Sequence, residues 1–507
     1  MLFNSYVFIF VFLPVVLAGF YLASRTGNAR MTNLWLLVCS AFFYGWWNPV
    51  YLLLLGLSIS VNFTISGLMV RRAASGQATK SLLATGVVFN LALLGYFKYA
   101  NFFVDNVNLL FGASFNLEHV VLPLAISFFT FQQIAFLVDT HRGLVGQQKL
   151  LNYSLFVSFF PQLIAGPIVH HKEMMPQFAD HKRLLEWPTH VSLGLTYFGI
   201  GLFKKVVLAD SVGSISTPLF EKAAQGSVID FFTGWAAALG YTLQLYFDFS
   251  GYSDMAMGIA LLFGIMLPIN FNSPYKSLNI IEFWRRWHMT LSAFLRDYLY
   301  IPLGGNRKGP TRRSLNLSIT MLLGGLWHGA GWTFVVWGGL HGLYLLINHS
   351  WRQFRQNVLG HDLSHSTRVG KVLAWSVTLL AVIIGWVFFR AADFSSAVNI
   401  LKGMFGFHGA TLPGVFANIS PFVSDVLSAL NIRAVAGGGQ IFWNQWMSIV
   451  LVIPFVFMPN SHDIAARMKA GVGFLGFNPR TAWLVAAALL ISFVSLNKES
   501  EFLYFQF

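Results

Sequence analysis

Apolar residues run along this chain in long unbroken blocks, close to the ~20 residues a helix needs to cross a bilayer, without the polar alternation of a membrane β-barrel strand. Such blocks occupy residues 6–21, 34–47, 50–70, 81–99, 121–138, 191–208, 231–246, 255–267, 315–326, 332–347, 372–389, 447–457 and 482–494. Helices suit that setting because they satisfy every backbone polar group internally. The pattern predicts an all-α, polytopic integral membrane protein with roughly 11 to 13 spanning helices.

Two stretches break the pattern. Residues 151–169 are apolar but interrupted by Pro161, Gly166 and Pro167, which predicts a re-entrant segment bordered by protein or a water-filled cavity. Residues 392–440 are mixed, with Pro413, Pro421 and glycines at 437–439, and read as a long loop with short helices. There is no internal repeat and no domain boundary, so residues 1–507 read as a single membrane domain.

Composition agrees with the pattern. The chain is 56% hydrophobic and only 10% charged, with a mean hydropathy of +0.61, whereas about a quarter of a soluble domain is charged. Cys39 is the only cysteine, which excludes an internal disulfide and a cysteine-based metal site. The net charge of +14 reports orientation and not nucleic-acid binding. Its basic residues fall in short loops, at Arg25 and Arg30, at Arg71, Arg72 and Lys80, and at Lys172, Lys182 and Arg183. The positive-inside rule makes these loops cytoplasmic, which places the N-terminus in the periplasm. Residues 1–20 lack the basic start of a secretory signal and are expected to remain as a first helix.

At about 100° per residue, residues 282–298, EFWRRWHMTLSAFLRDY, divide into two sides of a helix. Trp284, Trp287, His288, Leu291, Leu295 and Tyr298 share one side, and Glu282, Arg285, Arg286, Arg296 and Asp297 share the other. This predicts an amphipathic basic helix at the cytoplasmic interface with His288 on its apolar side. Its arginines suit either anionic lipid headgroups or the phosphates of a donor, since guanidinium forks match phosphate oxygens. A second basic cluster follows at Arg307, Lys308, Arg312 and Arg313.

Residues 314–351 contain no Asp, Glu, Lys or Arg, yet carry His328 and His341. A titratable group in such surroundings is a functional-site candidate. Gly324, Gly325, Gly329 and Gly331 surround His328 and permit close backbone approach or a helix break. A continuous helix would turn by roughly 220° between His328 and His341, so His341 reads as a supporting or core residue. Asp248 and Asp254 lie between two apolar blocks and read as capping a turn. Lys204 and Lys205 read as snorkelling to the interface. Trp327, Trp332 and Trp337 read as packing or as the wall of an acyl path. No nucleophile elbow, metalloprotease pair, Walker loop or dinucleotide fingerprint accompanies these groups.

The succession FPQLIAGPIVHH, YFDFSGYSDMAMG, NFNSPYKSLNIIEFWRRWHMTLSAFLRDYLYIPLGGNRKG and LWHGAGWTFVVWGGLHG resembles the membrane-bound O-acyltransferase family, with a core at residues 122–349. Within that family the nearer likeness, including the C-terminal SEFLYFQF, is to the branch that O-acetylates exported alginate. The resemblance implies His328 and His288 as the catalytic pair. From the residues themselves, Arg285, Arg286 and Arg296 are candidate donor-binding residues, with His341, Asp248 and Trp327 in support. The resemblance also implies acyl transfer from a cytoplasmic thioester, acetyl-CoA, to a hydroxyl on the periplasmic side, with no permanently bound cofactor or metal. The partners implied are membrane lipids and a periplasmic acetyltransferase or acceptor protein of a polysaccharide secretion complex, in the bacterial inner membrane. A transporter of an activated acyl compound or saccharide would instead show inverted repeats, which are not visible here. A non-catalytic scaffold of the secretion complex is the third reading.

Overall fold

The computed structural model describes all residues except 119, 165, 181–186, 363–366, 436, 472–477, 497–502 and 504–507. Lys182, Arg183 and most of the SEFLYFQF tail therefore lie outside the described residues. The chain is helical almost throughout. After a π-turn at Phe8–Phe12, the first helices are α1 (Leu13–Ser24), α2 (Ala29–Gly45), α3 (Val50–Ala74), α4 (Lys80–Leu94), α5 (Ala100–Phe111) and α6 (Ile126–His141). The middle of the chain forms α7 (Leu150–Ser158), α8 (Phe160–Leu163), α9 (His171–Ala179), α10 (Trp187–Phe203), α11 (Asp210–Ala224) and α12 (Phe231–Leu262). Then come α13 (Ile280–Arg286), α14 (Met289–Leu295), α15 (Gly309–His328), α16 (Trp332–Asn357), α17 (Arg368–Arg390) and α18 (Phe394–Met404). The C-terminal part adds α19 (Pro421–Ala429), α20 (Gly439–Phe457), α21 (Ser461–Ala470) and α22 (Pro479–Ser495). A parallel pair of short strands, β1 (Ala410–Pro413) and β2 (Ile432–Val435), pairs Ala410 with Ile432.

Among the described residues, five helical stretches are long and apolar enough to cross a bilayer: Val50–Ala74, Lys80–Phe111, Pro188–Ala224, Arg368–Arg390 and Gly439–Phe457. Phe8–Ser24 and Pro479–Ser495 are shorter apolar helices. Leu53, Val88, Val377 and Leu451 on these elements are exposed, as an outer ring facing hydrocarbon requires.

The centre is α12, where two separate blocks were expected. It is one continuous 32-residue helix, nearly all of it buried. The polar stretch from Asp248 to Asp254 does not end it, because neighbouring side chains neutralise it from within. Asp248 pairs with Lys205 at 2.6 Å, and Lys205 also meets Asp210 at 2.9 Å. Asp254 pairs with Lys204 at 2.6 Å and accepts from the Ser461 hydroxyl at 2.8 Å. The aspartates are thus mid-helix ion-pair partners and not turn caps. The lysines point inward and do not snorkel. A π-helical turn at Lys204–Ala209 continues α10, and both consecutive lysines pair with aspartates of α12. The close approach depends on glycines: a Cβ on Gly201 would meet the Gly251 carbonyl oxygen at 2.5 Å, and one on Gly258 would meet the Gly194 carbonyl oxygen at 2.6 Å. Small residues let membrane helices approach to backbone contact in this way.

Candidate active site

The single helix expected over residues 282–298 is divided. It stops at Arg286, Trp287 is extended, and His288 takes φ +41° before α14 begins. A helical wheel cannot anticipate this break, because its partners come from residues 270–272. The Asn272 N–H donates to the Arg286 carbonyl and the Met289 N–H to the Asn270 carbonyl, each at 2.9 Å, so the interrupted backbone stays satisfied. His288 is fully buried, and its Nδ1 lies 3.0 Å from the Asn270 side-chain oxygen. That oxygen also accepts from the Thr290 hydroxyl at 2.9 Å. An acceptor there makes Nδ1 the protonated nitrogen of the neutral ring and Nε2 its lone-pair nitrogen.

His328 is the last residue of α15. The glycine break expected after it is present: Gly329 and Gly331 are extended and α16 starts at Trp332. A Cβ on Gly329 would sit 2.1 Å from the Phe334 ring, so any larger residue there requires that ring to move. The break brings His328 to 6.4 Å from His288, ring centre to ring centre. Trp327 stands edge-on to His328 at 4.9 Å and lies 6.2 Å from His288. Trp337 and Phe389 close the other side of His328 at 5.0 and 5.1 Å.

His328 and Trp327 line a cavity of about 70 Å³ together with Lys98, residues 122–128 and Ile164. That volume holds several water-sized groups. Of the four described non-glycine residues at positive φ, Ala125 lines this cavity, His288 faces His328, and Ser273 precedes the turn that packs beside Trp287. Backbone strain of about 1–3 kcal/mol per residue characteristically gathers at functional sites.

The other candidates separate by position. His341 is buried one helical turn from Trp337, at 4.8 Å, and contacts Trp284 at 5.3 Å, away from the cavity. Its place is behind Trp337, supporting the wall against His328. Asp248 belongs to the α12 ion-pair core. Arg286 pairs with Glu282 at 2.9 Å, Arg296 is bound by Asp297 at 2.7 Å, and Arg285 is exposed.

Two further features had not been anticipated. Lys98, the only charged residue in residues 81–104, lines the His328 cavity; a lone charge inside an apolar block was the available signal. The second is a polar clasp. The Tyr298 hydroxyl donates to the Asp139 carboxylate at 2.6 Å, His170 Nε2 lies 2.6 Å from the same oxygen, and His171 Nδ1 lies 3.5 Å away. The 2.6 Å contacts are hydrogen-bond lengths, shorter than the roughly 3.3 Å edge two ligands of a tetrahedral zinc share. This group ties α6 to α9 and to the π-turn after α14.

Comparison with known proteins decides the class. The membrane-bound O-acyltransferase family profile matches residues 142–389, which include both histidines. A peptidoglycan O-acetyltransferase of Helicobacter pylori is 42% identical over 100% of this chain and 98% of its own length. The chain belongs to the membrane-bound O-acyltransferase family. A Pseudomonas putida protein named "Probable alginate O-acetylase AlgI" is 44% identical over the full length of both chains. A teichoic acid D-alanyltransferase of Streptococcus thermophilus is 31% identical over 46% of this chain and 59% of its own. As a member of this family the protein is a multi-pass membrane acyltransferase. The transporter and scaffold readings therefore fall away.

Proposed function

We propose that this acyltransferase moves acetyl from cytoplasmic acetyl-CoA to a hydroxyl presented on the periplasmic side of the bacterial inner membrane, for O-acetylation of an exported polysaccharide. The observation that carries the reading is the pairing of His288 and His328 beside a cavity at the carbonyl end of α15. Basic clusters at Arg71 and Arg72, Arg142, and Arg307 to Arg313 lie at the other ends of α3, α6 and α15 from this cavity. By the positive-inside rule those ends are cytoplasmic, so the cavity serves the periplasmic acceptor and the N-terminus is periplasmic.

His328 accepts the acceptor hydroxyl's proton as the oxygen attacks the thioester carbonyl, the task for which imidazole, with its ordinary pKa near 6.5, is suited. The tetrahedral intermediate collapses with cleavage of the C–S bond, and the proton leaves with the CoA sulfur. His288, held by Asn270, orients the thioester and stabilises the oxyanion. Arg285, Arg286 and Arg296 are the proposed contacts for the donor phosphates, with lipid headgroups as the competing ligand.

Alginate is the first candidate acceptor polymer, reached through a periplasmic acetyltransferase or acceptor protein of the secretion complex. Peptidoglycan is the second, favoured by the full-length similarity to the Helicobacter pylori enzyme. The test is purified protein in nanodiscs with labelled acetyl-CoA and either mannuronate oligomers or peptidoglycan fragments, with and without the periplasmic partner. His328→Ala should abolish transfer at normal protein levels; undiminished transfer by that variant rejects the reading.

A further inference from the structure

The cation in the cavity wall has a specific relationship to the helix that carries His328. The last carbonyls of an α-helix have no partner within it and carry the negative end of the helix dipole. In α15 the residues carrying these carbonyls lie beside the cavity, with Trp327 and His328 buried and Leu326 partly so. Lys98 Nζ donates to the Trp327 carbonyl at 2.6 Å and to the His328 carbonyl at 3.0 Å. The adjacent Tyr99 hydroxyl donates to the Leu326 carbonyl at 2.8 Å. Three consecutive terminal carbonyls are thus capped by two consecutive side chains from a distant element. A π-helical turn at Gly95–Tyr99, between α4 and α5, presents both side chains to the same helix end. The Lys98 ammonium also lies 5.9 Å from the Trp327 ring centre.

We infer that Lys98 is a positioning residue for acyl transfer: with Tyr99 it clamps the carbonyl end of α15, so that the His328 ring is held at the cavity wall in the attitude needed to receive a proton. The inference rests on His328 being the base. The clamp is needed because the chain beyond His328 is a glycine break, Gly329 to Gly331, that provides no helical continuation. Without Lys98 the Trp327 and His328 carbonyls lose the donors it supplies, and of the two clamping side chains Tyr99 alone still holds this helix end, at Leu326. An ammonium is suited to this task because its three donors can serve two carbonyls at once, and its charge opposes the helix dipole.

The test uses full-length protein in nanodiscs with labelled acetyl-CoA as donor and mannuronate oligomers plus the periplasmic partner as acceptor. Lys98→Met, which keeps length and removes the donors, should lower kcat about 10- to 100-fold, as a small misplacement of the base would, while leaving the KM for acetyl-CoA within about twofold. Lys98→Arg should restore a substantial part of the rate, and Tyr99→Phe should lower kcat severalfold. Should Lys98→Met fail to accumulate, Tyr99→Phe carries the same kcat-against-KM readout. Full activity of both Lys98→Met and Tyr99→Phe alongside a dead His328→Ala overturns the role of Lys98 alone. An active His328→Ala overturns the assignment of the base instead.

Discussion

Gly325 of α15 and Gly338 of α16 meet backbone to backbone: a Cβ on Gly325 would stand 3.0 Å from the Gly338 Cα and 2.3 Å from the Phe334 carbonyl oxygen. A Cβ on Gly338 would in turn stand 2.4 Å from the Met321 carbonyl oxygen. Neither contact can be relieved by a side-chain rotation, because the obstructing atoms are backbone. The two helices on either side of His328 are therefore locked at a separation that only glycine allows.

Gly325→Ala or Gly338→Ala should part these helices and displace His328 and Trp337 from one another. The expected result is at least a tenfold loss of transfer, since small misplacements near the chemistry are costly, together with a lower melting temperature in detergent. Gly339→Ala is the control, because its Cβ would meet only the Leu322 side chain at an ordinary 3.5 Å. Equal behaviour of Gly325→Ala and Gly339→Ala would show that the close approach does not matter.

The ion pairs beneath α12 make a second prediction. Lys204→Met leaves Asp254 buried with the neutral Ser461 hydroxyl as its remaining side-chain hydrogen-bond partner among the described residues, and breaking a buried pair this way costs about 3–5 kcal/mol. Adding Asp254→Asn removes the orphaned charge and keeps an acceptor for Ser461, so the double variant should recover most of the loss. Chemical denaturation in mixed micelles measures both. A loss below about 1 kcal/mol for Lys204→Met is what a snorkelling surface lysine would give.

What the sequence disclosed, and what it concealed, follows from the range of the interactions. His328 stood out because its surroundings lack charge over residues 314–351, and the break after it was legible in its own glycines. The helical class was legible because block length is a local property. Concealed were features whose cause lies far along the chain. The polar stretch Asp248 to Asp254 looked like a turn because Lys204 and Lys205, which neutralise it, belong to another helix. The wheel over residues 282–298 failed at His288 because residues 270–272 supply the hydrogen bonds that make a break affordable. The clamp of Lys98 on the carbonyls of Trp327 and His328 joins residues more than two hundred positions apart. Only the lone charge in its apolar block hinted at it.

Asn270 provides a third prediction. Its side-chain oxygen is the acceptor that holds His288 Nδ1 and the Thr290 hydroxyl. Asn270→Ala should release the His288 ring without touching His328, lowering kcat by roughly 10- to 100-fold, the scale of a small misplacement of a group near the chemistry. Steady-state kinetics with acetyl-CoA as the varied substrate checks it. An unchanged kcat would mean that the orientation of His288 is irrelevant to transfer.

The clasp around Asp139 yields a prediction in pH. Burial, reinforced by the neighbouring His170, pushes the His171 ring down to about 4, against the opposing pull of the Asp139 carboxylate. In the unfolded chain the same ring takes up a proton near its ordinary value of about 6.5. Between these values the unfolded state binds more protons than the folded one, so stability falls as the pH is lowered from about 6.5 towards 4. Above about pH 6.5 both states hold a neutral ring, and His171 contributes no slope. His171→Gln retains a polar side chain that can still hydrogen-bond but cannot titrate, so its melting temperature should decline less than that of the wild type over the same interval. Melting curves in detergent at pH 7, 5.5 and 4.5 compare the two. Parallel declines would show that His171 is already protonated in the folded protein or that other groups set the acid sensitivity of the clasp.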